Sequence, residues 1–329
     1  HVALQIENLD YGITADAIHR ALTLSELHLP QRVESIDVHL YENGLVGPTA
    51  QYLRQNSRSG VAKSRSNLHS VFEEEKVSFR EPEPLGKANK KTLYEYMKFA
   101  TGIDLGARVQ LFDPNEPLRH QVYAKLEGRL ILNEHLNLWS AYGLDITNNF
   151  STERESDSVL PHVRSDMNLY LTEGDSGLNA LFLESRYSFS ESFHNRSYIG
   201  VLEEMFSGVG SELLYHQYDK RWAIGGSVTW ARQRDYEKNF SHLDYQITSG
   251  FLSFYYASPI ANFDFAMHAG KYLAGDKGVT LEARRTFDNG FEIGAFITKT
   301  NVSAEDFGEG SFDKGLVFKI PVNNFVKRN

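Results

Sequence analysis

The chain has 329 residues, 34 basic and 43 acidic side chains and a net charge of −9; this acidic balance disfavours nucleic acid as a partner, since phosphates need an excess of Lys and Arg. It has no cysteine, which excludes disulfides, thiolate zinc sites and thiol nucleophiles. No apolar run reaches the roughly 18 residues of a membrane-spanning helix, yet a β-barrel is not excluded, because only every second residue of its strands faces lipid. Residue 1 is His and no basic, apolar leader follows; the expectation is a processed chain or a piece of a longer one.

Residues 1–53 differ from the rest. "VALQIENL" alternates like a strand. "TADAIHRALTLSELHLP" predicts a helix with Thr14 or Asp16 as cap, Ala17, Ile18, Ala21 and Leu22 on one face, and Pro30 as the stop. "VESIDVHLYENGLVGPTAQYL" predicts two strands joined at Glu42-Asn43-Gly44. The sum is a small βαββ unit, a kind that docks or spaces more often than it catalyses. Residues 54–92 lose this periodicity in "RQNSRSGVAKSRSN", "EEEK" and "REPEPLGKANKK", which predicts a linker carrying one short strand around Val77 to Phe79.

From Leu93 onward, strand follows strand. The first sets Met97, Phe99, Thr101, Ile103, Leu105, Ala107, Val109 and Leu111 against Lys98, Asp104, Arg108 and Gln110. In "LRHQVYAKLEGRLIL" an apolar row alternates with Arg119, Gln121, Tyr123, Lys125, Glu127 and Arg129. "VTLEARRTFDNGFEIGAF" places Glu282, Arg284 and Glu292 opposite Val279, Leu281, Phe291 and Ile293. Similar rows fill "LNLWSAYGLDIT", "VRSDMNLYLT", "SGLNALFLESRYSF", "RWAIGGSVTWAR", "DYQITSGFLSFYY" and "ANFDFAMHAGKYL". Turn signals at Asp113-Pro114-Asn115, Asn133-Glu134, Glu173-Gly174-Asp175, Asp219-Lys220 and Asp288-Asn289-Gly290 then predict about twelve to fourteen strands with no helix between them.

A soluble two-sheet sandwich alternates too. Three features favour a membrane barrel. The polar rows carry several charges per strand, which suits a wet lumen. The strands match the about 9 to 11 residues of a tilted bilayer crossing better than the about 5 to 6 of soluble strands. Trp222 and Trp230 share an apolar row, roughly 26 Å apart along the strand, near the spacing of two aromatic girdles once tilt is allowed for. Tryptophans so placed also fill sandwich cores, so alternation leaves both architectures open.

Motifs add little chemistry. Twelve histidines include no HExxH, and no GxSxG elbow is present. His268 shares its row with Asn262 and Asp264 and is expected to be a satisfied lumen or core histidine. Glu305, Asp306, Glu309 and Asp313 lie among glycines, but their spacing matches no EF-hand, and a solvated loop is expected. Asn149, Asn195, Asn239 and Asn301 begin N-x-S sequons, of interest only in a eukaryotic secretory context. No metal, cofactor or catalytic residue is assigned.

The same segments carry a resemblance. "EEMFSGVGSELLYHQYDKRWAIGGSVTWARQRDY", "AGKYLAGDKGVTLEARRTFDNGFEIGAFITKTNVSAEDFGEGSFDKG", "FKIPV" and, in the small unit, "VESIDVHLYENGLV" resemble the YjbH/GfcD family of bacterial outer-membrane exopolysaccharide and capsule proteins. The likeness covers most of the chain. It implies a mainly β protein: an antiparallel transmembrane β-barrel (domain 93–329, the barrel itself to 322) behind a linker (54–92) and a periplasmic βαββ domain (1–53). It further implies a Gram-negative outer-membrane location, a part in polysaccharide export or assembly, lipid, polysaccharide and other export proteins as partners, and no enzymatic activity. Members of the family are usually longer, with a lipoprotein or signal start and a further N-terminal barrel-like region. This chain also ends "NNFVKRN" without a terminal aromatic, so it is expected to be the C-terminal part of a larger protein. The lumen row expected to contact sugar is Arg119, Tyr123, Lys125, Glu127, Arg129, Glu282, Arg284 and Glu292, with Trp222 and Trp230 at the membrane interfaces. Two other readings stand beside it, a soluble β-sandwich lectin and an outer-membrane barrel enzyme acting on lipid or glycan.

Overall fold

The computed structural model describes residues 1–8, 14–42, 44–54, 77–83, 90, 96–111, 117–151, 160–287, 290–303 and 313–319. The expected turns at 113–115 and 288–289, most of the linker, and Glu305, Asp306 and Glu309 lie outside them.

The N-terminal unit builds as its periodicity predicts. β1 (Val2–Glu7) runs parallel to β2 (Ser35–Glu42), and α1 (Thr14–His28) makes the crossover. α1 buries Ile18 and Leu22 against Ile36, Val38, Leu40 and Tyr52. Beyond its last turn the buried Arg54 guanidinium donates to the carbonyls of Glu26 (3.1 Å) and Pro30 (2.8 Å) and to the Glu26 carboxylate (2.8 Å). Helix-end carbonyls that have no partner within the helix are thereby satisfied. β3 (Leu45–Leu53) pairs antiparallel with β2, and the short strand expected near Val77 is β4 (Val77–Arg80), paired with β3. The sheet order is β1-β2-β3-β4.

The second sheet has twelve antiparallel strands in sequence order: β5 (Lys98–Leu111), β6 (Leu118–Ile131), β7 (Leu136–Asn148), β8 (Gly177–Ser188), β9 (Phe193–Val201), β10 (Phe206–His216), β11 (Trp222–Arg234), β12 (His242–Ala257), β13 (Phe263–Lys271), β14 (Lys277–Thr286), β15 (Glu292–Thr300) and β16 (Asp313–Lys319). Among the described residues β5 and β16 do not pair with each other. The strands form one continuous sheet, not the two stacked sheets of a sandwich lectin.

The two faces reverse the usual order. The apolar row is exposed: Phe99, Ile103 and Leu105 are more than 70% accessible, and Ile199, Val228, Leu252, Leu281 and Leu316 share that face. Part of the polar row is covered, with Arg119, Gln121, Asn137 and Glu184 on β6 to β8 all at 2% or below. A water-soluble sheet buries its apolar face instead. Arg108 on β5 reaches Glu204 in the β9–β10 turn, so the sheet curls around this polar face.

The two ends of the sheet also differ. At one end the connections are uniformly short (132–135, 189–192, 217–221, 258–262 and 287–291), while at the other they extend to 149–176 and 301–312. The β1–β4 unit sits at the short-turn end. Gly44, at φ +84°, turns tightly there, and a Cβ on it would stand 2.6 Å from the Glu134 carbonyl and 3.1 Å from that of Arg186. Only glycine combines this backbone with such close approach. Glu7 on β1 lies 4.0 Å from the Arg129 guanidinium.

One expectation is corrected. "VRSDMNLYLT" does not form a strand: Met167–Thr172 is a helix, α2, within the long connection between β7 and β8. Over six residues a period of two and a helical period are nearly indistinguishable. Tertiary packing decides, because Met167 and Tyr170 fall on one helical face and meet an apolar cluster of Met205, Phe206 and Ala231. The Glu173-Gly174-Asp175 signal therefore marks a helix exit and not a hairpin.

Candidate functional site

The candidate site is the covered polar face. Alternation puts every second residue of each strand on it, and the register aligns these rows across the sheet. Arg129 opposes Trp139, Trp139 opposes Phe182, and Glu184 opposes Tyr198.

Its most connected part lies on β6 to β10. Glu184 accepts from Arg196 Nε (2.5 Å), Arg186 Nη2 (3.2 Å) and Trp139 Nε1 (3.1 Å). Arg196 also reaches Glu212 at 3.2 Å. Arg129 stacks over Trp139 at 4.6 Å and donates to Asn137. A buried carboxylate with three donors on it keeps its charge and its pose.

The expected row is all present on this face but is not one cluster. Arg119 lies under the long connections and donates to the Ser151 carbonyl at 2.8 Å, a bracing role. Tyr123 lies beneath Arg108 at 4.7 Å, and Lys125 pairs with Glu127. Arg129 is at the opposite end, beside Glu7. Glu282 pairs with Arg284 (2.8 Å) on β14, and Glu292 with Lys319 (2.9 Å) across β15 and β16. The sequence reading missed Glu184, Arg186, Arg196 and Glu212. Their signal was available, because Glu184 and Arg186 alternate with Leu181 and Leu183 in "ALFLESRYSF".

The long-connection end is capped from within. Tyr170 of α2 donates to the Arg234 carbonyl, Tyr236 to Asp166 (3.1 Å), and Asn148 to the Leu171 carbonyl (2.6 Å). Arg234, fully buried, donates to five carbonyls: Leu178, Glu203, Glu204, Lys238 and Asn239. Burial raises the Tyr170 phenol, and burial followed by the Asp166 charge pushes Tyr236 up to about 12. Burial pulls Lys238 below the ordinary lysine range. At the short-turn end, burial and then the Glu134 charge raise Tyr41 and Tyr96.

A cavity of about 580 Å³ opens on the same face between β10 and β14. It contains His268, whose Nδ1 is 2.8 Å from Ser253 Oγ and whose Nε2 is 3.7 Å from Glu282 Oε1. A serine, a histidine and an acid thus do converge. The geometry falls short of acyl transfer: 3.7 Å is too long to orient the ring. Backbone N–H groups of these inner strands are engaged in their ladders, leaving no oxyanion donors. Among the described residues no three metal-ligating side chains converge.

These features define a class: an up-and-down antiparallel β protein with a polar covered face, an apolar exposed face, and a small α+β unit docked at its short-turn end. The chain matches, over residues 1–329, the YjbH family, described as "Exopolysaccharide biosynthesis protein YbjH", and it belongs to that family. It is 29% identical over 332 residues to the "Uncharacterized lipoprotein YjbH" of Escherichia coli (strain K12), an alignment covering 97% of this chain and 46% of the relative. The chain therefore spans less than half the length of that relative.

Proposed function

We propose that the twelve-stranded sheet is an outer-membrane β-barrel whose apolar face meets lipid and whose polar face lines a lumen. The β1–β4 unit is then periplasmic, and the barrel assists export or assembly of an exopolysaccharide. No bond-making step is assigned to it. The observation that carries this reading is where charge falls on the exposed face. Lys271, Lys277, Lys299, Lys314 and Arg232 point outward near the long-connection end, and Arg285 near the short-turn end. Between them, among the described residues, the outward row holds no charged side chain.

Polar groups within that band satisfy one another, as a hydrocarbon setting demands. Asn195 donates to Ser211 (3.0 Å) and Ser197 to Asn195 (3.1 Å). Trp222 and Trp230 lie at opposite ends of the outward row of β11, where interfacial aromatics belong. Short turns at one end and long connections at the other match the periplasmic and outer sides of such barrels. The relative's name as a lipoprotein supports an envelope location, and the family description supports the polysaccharide.

Sugar hydroxyls exchange hydrogen bonds with paired charges at little net cost, so a row of ion pairs grips weakly and permits sliding. The test replaces Lys125, Glu127, Arg129, Glu282 and Arg284 together by Gln. Surface polysaccharide is expected to fall several-fold while the amount of protein in the outer-membrane fraction is unchanged. Normal polysaccharide on cells carrying the inserted variant would sink the proposal.

A further inference from the structure

We infer that the cavity between β10 and β14 is a saccharide subsite that takes an uncharged pyranose and disfavours uronic acids. This rests on the proposed contact between polysaccharide and the polar face, and it adds the chemical class of sugar.

The cavity, about 580 Å³, has the volume of an ordinary small-molecule site. Its wall combines the rings of Phe251, Tyr255 and Tyr272 with His268, Glu212 and Glu282. The rings are held in fixed poses by edge contacts: Phe251 meets Tyr272 at 4.9 Å and 77°, and Tyr255 meets His268 at 5.6 Å and 73°. Beside them β11 contributes Ala223, Gly225 and Ser227, which leave the ring faces uncrowded. A Cβ on Gly225 would touch the Tyr255 ring at 3.5 Å. On a face where Gln121 and Glu184 are almost wholly covered, Tyr255 is 38% exposed. A rigid, accessible aromatic next to a flat floor is a platform for the apolar face of a pyranose.

The polar groups are equally prepared. Arg284 holds Glu282 through Oε2 (2.8 Å) and Arg196 holds Glu212 through Oε1 (3.2 Å), so one oxygen of each carboxylate makes no hydrogen bond to a described residue. Sugar hydroxyls donate to ionised carboxylates in strong, short bonds. Neither arginine, and no lysine, lines the cavity. A uronate entering it would bring a third negative charge beside two carboxylates whose arginine partners stand outside the lining. Those arginines screen part of the repulsion, so discrimination should be about fivefold, not absolute.

The test titrates the detergent-solubilised full chain with neutral hexasaccharides of gluco, galacto and manno configuration and with hexagalacturonate, followed by calorimetry. At least one neutral hexamer is expected to bind about fivefold or more tightly than the uronate. Tyr255→Ala should weaken it about tenfold, whereas Tyr255→Phe, which keeps the ring, should stay within about twofold. The inference is overturned if no neutral hexamer binds saturably, if the uronate binds as well, or if Tyr255→Ala changes nothing. The broader export reading fails on a different result, unchanged surface polysaccharide in cells, so the two failures are distinguishable.

Discussion

Arg234 shows how much one side chain can organise. Its guanidinium ties the start of β8 to two connections, donating to the carbonyls of Leu178, Glu203, Glu204, Lys238 and Asn239 with no hydrogen-bonded carboxylate among the described residues. Burying a cation without a counter-charge is tolerated only when oriented dipoles replace water, and five carbonyls do so here. Arg234→Met would leave those acceptors unpaired and should cost at least about 3 kcal/mol, since each charged hydrogen bond contributes about 1.5 to 3. Arg234→Lys, lacking the planar fork, should fall between the two. Urea unfolding in detergent measures it, and a methionine variant as stable as the parent would remove Arg234 as the keystone. None of this was legible in "WARQRDY", because three of the five carbonyls it binds, those of Leu178, Glu203 and Glu204, lie 30 to 56 residues away in the chain. Charges on the strands themselves were legible, since Lys125, Glu127 and Glu282 need only the period of two to be placed on the polar face.

At the scale of the element, the β segments declared themselves and α2 did not. A 14-residue strand such as β6 repeats its alternation often enough to exclude a helix. The six residues of α2 cannot, and their conformation is set by the pocket that receives Tyr170. That docking carries a pH signature. Tyr236, bonded to Asp166, titrates at about 12 instead of 10.0, and Tyr170 is also raised. The folded state holds these protons more tightly than the unfolded one. Their contribution to stability is therefore complete below pH 10 and is lost as pH rises from 10 through about 12. Lys238, a buried cation two residues further along, has a lowered value and acts with the opposite sign, but only below its unfolded value of 10.5. The thermal midpoint should fall between pH 10 and 12 in the parent, and less steeply in Tyr236→Phe. Parallel curves for the two proteins would show that Tyr236 does not couple the cap to pH.

For the whole molecule, the exposed apolar band has to meet something other than water. Rows headed by Phe99, Ile103, Leu252 and Leu281 are too extensive for a soluble surface, where apolar patches rarely exceed a few hundred Å². The edges of β5 and β16 add a second requirement. In hydrocarbon every backbone N–H and C=O must be paired, so the proposed lipid contact requires those two edges to be joined, to each other or through further strands. Val228 is at the middle of β11, outward, flanked by Trp222 and Trp230; its neighbour Ser227 points to the polar face. Val228→Arg would place a cation inside the apolar band between the two tryptophans, off the midplane toward Trp230, and should destabilise the inserted protein by about 2 kcal/mol. Ser227→Arg puts the same charge among paired ions and water and should cost less than about 1 kcal/mol. Reversible urea unfolding in lipid vesicles separates the two. If both substitutions cost the same, or if Val228→Arg is the milder, the outward face is not in contact with lipid.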